Sequence, residues 1–293
     1  MSVIVENASI SIKKILFATD FSATSHKAAL YAKALALHFS STVEIAHVFN
    51  PGKYLSSSEG IANLPENRRV CEEYLQDLCA DFRLSEIAVR TALPEGYRPF
   101  AGLLKLARDE EVNLIVAGTG SKSAKERLVL GSTAEQLIRN AECAILTVGP
   151  KVTLPVDAPI AFKTIVCAAD FSSEATKAAQ YALSFAADSS AHLYFCYVRG
   201  LKADNSPKRQ LLDTAFRSAI KKIVPEYFSD HCHPEFVVEH GNAAKAILEL
   251  AARIRADLIV LGTRSASFWL TNLDQGVTPN LVAEARCPVL TVS

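Results

Sequence analysis

Ile15-Leu16-Phe17-Ala18-Thr19-Asp20-Phe21-Ser22 returns 150 positions later as Ile165-Val166-Cys167-Ala168-Ala169-Asp170-Phe171-Ser172. Two further echoes follow in the same order. Leu114-Ile115-Val116-Ala117-Gly118-Thr119 matches Leu258-Ile259-Val260-Leu261-Gly262-Thr263, and Cys143-Ala144-Ile145-Leu146-Thr147-Val148 matches Cys287-Pro288-Val289-Leu290-Thr291-Val292. Three matches in one order mean two homologous domains, so each functional residue read in one half has a counterpart to test it in the other.

Around these anchors, short β-branched runs alternate with longer helical patterns. The first half reads as strands near 13–18, 43–49, 86–93, 113–118 and 143–148. Helices are expected near 22–39, 66–82 and 97–110, and from about 131. The second half repeats the order from about 163 to 292. Such alternation predicts an α/β fold, two tandem doubly wound domains, each a parallel sheet with helices on both faces. The unbroken apolar run Leu114 to Ala117 suits a strand buried on both sides. Between the halves, residues 149–159 carry three prolines, a stiff extended connector, and the boundary is set at 1–152 and 153–293. Pro51 to Pro65 and Gly200 to Pro207 read as long connections after the second strand of each domain, and the first, with Ser56-Ser57-Ser58-Glu59-Gly60, as a lid or a plain solvated loop.

Bulk composition narrows the function. The 293 residues suit two domains that bury their own cores without disulfides or metal. Thirty-one basic and 31 acidic residues cancel, so no net field favours nucleic acid or an anionic membrane. The seven cysteines form no C-x-x-C pair, which points to a reducing compartment. No run of eighteen apolar residues and no secretory leader is read, so a soluble cytoplasmic protein is expected.

The chemistry concentrates at Gly118-Thr119-Gly120-Ser121 and, nine residues on, at Gly131-Ser132-Thr133, which opens a helix. A glycine after a buried strand lets backbone approach a ligand, and a helix N-terminus presents free N–H groups and the positive end of the dipole. Together they suit a phosphate. The competing reading is that Ser132 merely caps its helix. Asp20 ends the first strand, and in a doubly wound sheet the first and fourth strands are neighbours, so Asp20 and Gly118 share a rim. A carboxylate there accepts from ribose hydroxyls, or caps the helix with Ser22. Lys122, Lys125 and Arg127 either neutralise phosphate or form a solvated loop. Gly120-Ser121-Lys122-Ser123 lacks P-loop spacing, and no G-x-S-x-G nucleophile elbow occurs. His231-Cys232-His233 projects two imidazoles to one side, but no third metal ligand is visible nearby.

The strand-Thr-Asp-Phe-Ser opening, the glycine motif followed nine residues later by G-[ST], and the closing C-P-V-L-x-V strand resemble the universal stress protein family across both halves. The resemblance implies a five-stranded parallel sheet of order 3-2-1-4-5 in each domain and ATP with Mg²⁺ as ligand. It places Ala18, Thr19 and Asp20 at the nucleoside and the Val48 backbone at adenine. Gly118, Ser121, Gly131, Ser132 and Thr133 then surround the phosphates. It also implies that the two closing strands meet in an intrachain pseudo-dimer, with a homodimer of whole chains as a further step. Ser121 stands where the family has its second glycine, costing about 1 kcal/mol if positive φ is required there. Counting back from Cys287 as from Cys143 sets Gln275 opposite Gly131 and Gly276 opposite Ser132, with Ser265 again replacing the inner glycine. One nucleotide site is therefore expected, in the first domain, acting as a ligand-dependent switch for protein partners. The alternative is an interaction scaffold with both sites degenerate. A slow ATPase lacks an evident base to activate water.

Overall fold

The computed structural model describes residues 10–55, 57–120, 130–155, 159–170, 172–189, 191–199, 210–211, 213–215, 218, 234–263 and 276–293. The chain divides into two compact units. The first comprises Ser11–Pro150 with Leu154–Ile160, and the second comprises Ala161–Ser293 with Lys151–Thr153 and Ile10.

In the first unit the strands are β1 (Lys14–Ala18), β2 (Thr42–Ala46), β3 (Val89–Ala92), β4 (Leu114–Gly118) and β5 (Ala144–Val148). All pair in parallel in the order 3-2-1-4-5. The helices are α1 (Ala23–Phe39), α2 (Ser58–Ala62), α3 (Leu64–Arg83), α4 (Pro99–Asp109) and α5 (Ser132–Asn140). The second unit repeats the design with β6 (Thr164–Ala168), β7 (His192–Arg199), β8 (Glu235–His240), β9 (Leu258–Gly262) and β10 (Val289–Val292). Here β8-β7-β6-β9-β10 is again 3-2-1-4-5. Its described helices are α6 (Ser173–Ser189), α7 (Ala243–Ile254) and α8 (Val277–Glu284).

The sequence explains the packing. Ile15, Leu16 and Phe17 on β1 are wholly buried although they alternate faces, as a strand covered on both sides requires. On α1, Ala28, Ala32 and Ala36 recur every fourth residue and are at most 2% exposed, which lets the helix approach the sheet closely. Ala178, Ala182 and Ala186 do the same on α6, each at 0%. Ser22 starts α1, its side chain accepting from the Ser25 amide, and Ser40 ends it in the left-handed region at φ 52.

The segment after β2 differs from the expected loop. Pro51–Lys53 forms a 3-10 turn, with Asn50 Oδ1 accepting from the Gly52 amide. Ser57 caps α2 and Pro65 enters the first turn of α3, where a missing N–H costs nothing. Serine and proline read as loop signals are here helix starts. The connection from Gly200 to Pro207 lies outside the described residues.

Candidate functional site

The register Ala18↔Ala117 between β1 and β4 brings Thr19 and Gly118 to one rim at the carboxyl ends of the strands. Thr19 is 7% exposed and held from three directions. Its amide donates to Ala46 O at 2.9 Å, and its hydroxyl donates to Ser25 Oγ at 3.1 Å while accepting from the Phe21 amide at 3.0 Å. Its carbonyl lies 2.8 Å from His47 Nδ1, which must carry the proton because a carbonyl only accepts. Phe21 adopts φ 62, a conformation costing a non-glycine residue about 1–2 kcal/mol. Its ring lies 4.6 Å from His47 and 5.3 Å from Tyr74, which holds the turn in place. Asp20 stands exposed at the apex, with Oδ1 accepting from the Ser22 amide at 3.0 Å. The carboxylate thus shapes the turn into α1.

Gly118 has a packing role. A Cβ there would lie 2.5–2.7 Å from the backbone of Thr24 and Ser25, so only glycine lets β4 pass the first turn of α1. Gly262 repeats this against Glu174 and Ala175 at 2.4–2.6 Å. Gly120 is the point of convergence. A Cβ on it would sit 3.1 Å from Thr24 Oγ1, and one on Gly131 would sit 3.6 Å from Gly120 O. The turn after β4 therefore lies between the starts of α1 and α5.

Helix α5 begins with Gly131 as its N-cap, at φ −60 and ψ 136, without a side-chain capping bond. Ser132 and Thr133 occupy the first two helical positions, so Ser132 does not cap. The first-turn amides have no intrahelical acceptor, and they point with the dipole toward the Gly120 turn. The Thr119 hydroxyl, on a residue 2% exposed, has no hydrogen-bond partner among the described residues. Its counterpart Thr263 donates to Val292 O at 3.3 Å.

Val48 follows β2 and is 4% exposed. Its side chain lies beside Gly96 and Gly102. Neither its N–H nor its C=O takes a backbone partner among the described residues.

The second unit keeps the frame and changes the surface. Ser172 accepts from the Ala175 amide and Asp170 Oδ1 from the Ser172 amide, as Ser22 and Asp20 do. Helix α8 starts one residue later than counting back from Cys287 suggests. Gly276 is its N-cap at φ −62 and ψ 138, nearly the angles of Gly131. The glycine cap is thus retained, which corrects its alignment with Ser132. The loss lies in the first turn, where Val277 stands in place of Ser132 and Pro279 at the third position has no N–H to offer.

Ser121, Lys122, Lys125, Arg127, Ser265, Gln275, residues 266–270 and His231-Cys232-His233 lie outside the described residues. No group of three metal-ligating side chains occurs among the described residues, and no described helix is long and apolar enough to cross a membrane. A groove of about 290 Å³ opens at the opposite end of the first unit, between α4 and the start of β5, with Leu104, Ala107, Val112 and Cys143 in its lining. Burial pushes the Cys143 thiol up to about 11, and Cys196 and Cys287 to about 12. These sulfurs stay protonated at neutral pH and serve as small apolar fillers.

Two five-stranded doubly wound sheets, each with a strand-end glycine packed on its first helix, define the class of protein. The universal stress protein family model matches residues 11–149 and 161–293, and the chain belongs to that family. A universal stress protein of Methanocaldococcus jannaschii is 32% identical over 149 residues, covering 50% of this chain and 86% of that protein. The crystal structure of a universal stress protein from Archaeoglobus fulgidus superposes with a TM-score of 0.75 at 19% identity, covering 97% of this chain and 99% of that one. A putative universal stress protein from Pseudomonas aeruginosa gives 0.65 at 17% identity over 98% and 95% of the two chains. Both structures agree with this chain in fold.

Proposed function

We propose that the first unit binds ATP with Mg²⁺ and that the chain is a stress-response protein whose partner-facing surface depends on that ligand. The reading rests chiefly on one observation, the convergence of Gly120, Thr24 and the uncapped start of α5. An anion at this point meets backbone N–H groups, hydroxyls and a helix dipole without a carboxylate on the first turn of α1. Ser132, Thr133 and the backbone around Gly131 are assigned to the phosphates, Asp20 to the ribose, and the Val48 backbone to the base. Ala18 and Thr19 form the floor, and Ser121 completes the set by the family resemblance. Mg²⁺ would be held by phosphate oxygens and water, and the Ser132 and Thr133 hydroxyls would be available to it as oxygen ligands. Occupancy would favour one arrangement of this rim and so alter what a protein partner meets.

Calorimetric titration of the full chain with MgATP tests the assignment. Wild type should give a binding heat, Asp20→Ala a weaker one, and Gly131→Val little or none. Equal heats in all three proteins would remove these residues from the site.

A further inference from the structure

Asp20 is assigned to the ribose, and the residues before and after it in the chain both touch one imidazole. His47 follows directly on β2 and is half-buried. Its Nδ1–H donates at 2.8 Å to the Thr19 carbonyl, which belongs to the peptide that joins Thr19 to Asp20. Its ring lies 4.6 Å from that of Phe21. The Thr19 amide also donates to Ala46 O at 2.9 Å, so the end of β1 is tied to the end of β2 twice, once through the backbone and once through this side chain. The pairings Ala18↔Ala46 and Ala168↔Cys196 make Tyr197 the counterpart of His47 in the second unit, and Ala169 the counterpart of Thr19. The backbone tie survives there, from the Ala169 amide to Cys196 O at 2.9 Å. Tyrosine carries its hydroxyl at the far end of the ring and has no donor at the place of Nδ1, so the imidazole tie has no equivalent.

We infer that His47 is a positioning residue for Asp20, and that through it the first unit selects nucleotides with an intact ribose over their deoxy counterparts. This rests on the reading of the first unit as a nucleotide site with Asp20 at the sugar. Hydrogen bonds from hydroxyls to a carboxylate are strong but short, so they are lost when the acceptor drifts out of place. The turn does not hold itself: Phe21 at φ 62 is in a conformation that its own backbone disfavours and that surrounding contacts must impose. His47 supplies two such contacts, a hydrogen bond on one side of Asp20 and a ring on the other. Its backbone runs straight into Val48, the residue assigned to the base, so the same side chain sets the spacing between the base and sugar positions. The phosphates are assigned to the turn after β4 and the start of α5, neither of which His47 holds.

The test reads sugar recognition apart from phosphate binding. Affinities of the full chain for MgATP, its 2′-deoxy and 3′-deoxy analogues and magnesium tripolyphosphate are measured for wild type, His47→Phe and His47→Asn. Phenylalanine keeps a ring beside Phe21 without the donor, whereas asparagine places an amide N–H where Nδ1 stands. Thermal melts check that both variants fold. Wild type should prefer MgATP over at least one deoxy analogue by roughly tenfold, as expected for a hydrogen bond to a charged acceptor. His47→Phe should reduce that preference to within about twofold with tripolyphosphate binding unchanged, and His47→Asn should keep most of it. A preference that persists in His47→Phe, one lost equally in His47→Asn, or a loss that extends to tripolyphosphate would overturn the inference alone. A wild type that binds no MgATP, or binds it no better than both deoxy analogues, would overturn the site reading and the inference together.

Discussion

At the rim of the first unit, α1 opens Ser22-Ala23-Thr24-Ser25, and at the rim of the second, α6 opens Ser172-Ser173-Glu174-Ala175. The serine cap, the aspartate turn and the glycine that lets the fourth strand pass are common to both. The residues that would touch a ligand differ: hydroxyl against carboxylate at the second helical position, Ser132 against Val277, Ala134 against Pro279. What the fold needs is thereby separated from what a ligand needs. A glycine that meets the backbone of the first helix in both units is explained by packing.

The largest effect should come from that glycine. Gly118→Ala and Gly262→Ala each force a Cβ into backbone at 2.7 Å or less, and each should cost about 1–3 kcal/mol or more, read as a lowered melting temperature without ligand. Similar losses in the two variants support packing. Loss of nucleotide binding in Gly118→Ala at unchanged stability would make that glycine a ligand contact instead.

A smaller difference lies at the amino end of the sheets. Glu44 on β2 is 5% exposed and pairs with Arg90 at 3.1 Å, and Arg90 also pairs with Glu110, which Lys14 approaches at 3.1 Å. The second unit sets Tyr194 opposite Glu235 at the corresponding register. Arg90→Ala leaves the Glu44 carboxylate buried without its partner and should destabilise by about 1–3 kcal/mol, measured by urea unfolding. A change within roughly 0.5 kcal/mol, the usual range of a surface substitution, would show that Glu44 finds water.

The smallest expected effect is on pH dependence. The Arg90 guanidinium, then Lys14, holds the Glu110 carboxyl below its ordinary range. Because the folded value is the lower one, the contribution is present above the ordinary carboxylate range and fades as pH falls through the folded value. Glu110→Gln should therefore melt with a slightly flatter acid limb than wild type. Identical acid limbs would show that salt and solvent already screen this exposed pair.

Much of this is legible in the sequence, because the repeat supplies the anchors, the alternation of strands and helices supplies the rim that carries Asp20 and Gly118, and the family resemblance implies the strand order. Helix starts after β2 are harder to read, since Ser57 and Pro65 are equally at home in loops and at helix N-termini. The site is legible in residue type more than in role. Gly118 reads as a ligand contact because its close neighbour, the Thr24–Ser25 peptide, is nearly a hundred positions away in sequence. The one-residue shift of α8 hides the retained cap at Gly276. Thr24 and His47 escape a reading of the sequence, although the Thr24/Glu174 difference stands in plain view of the aligned halves. A hydroxyl on a helix is a weak signal until the turn after β4 is seen against it.

The central claim is that one duplicated frame carries a single anion site. Counting MgATP bound per chain at saturation, by equilibrium dialysis of the full-length protein, tests it most directly. One equivalent is expected. Two equivalents in the wild type, or none, would contradict the account.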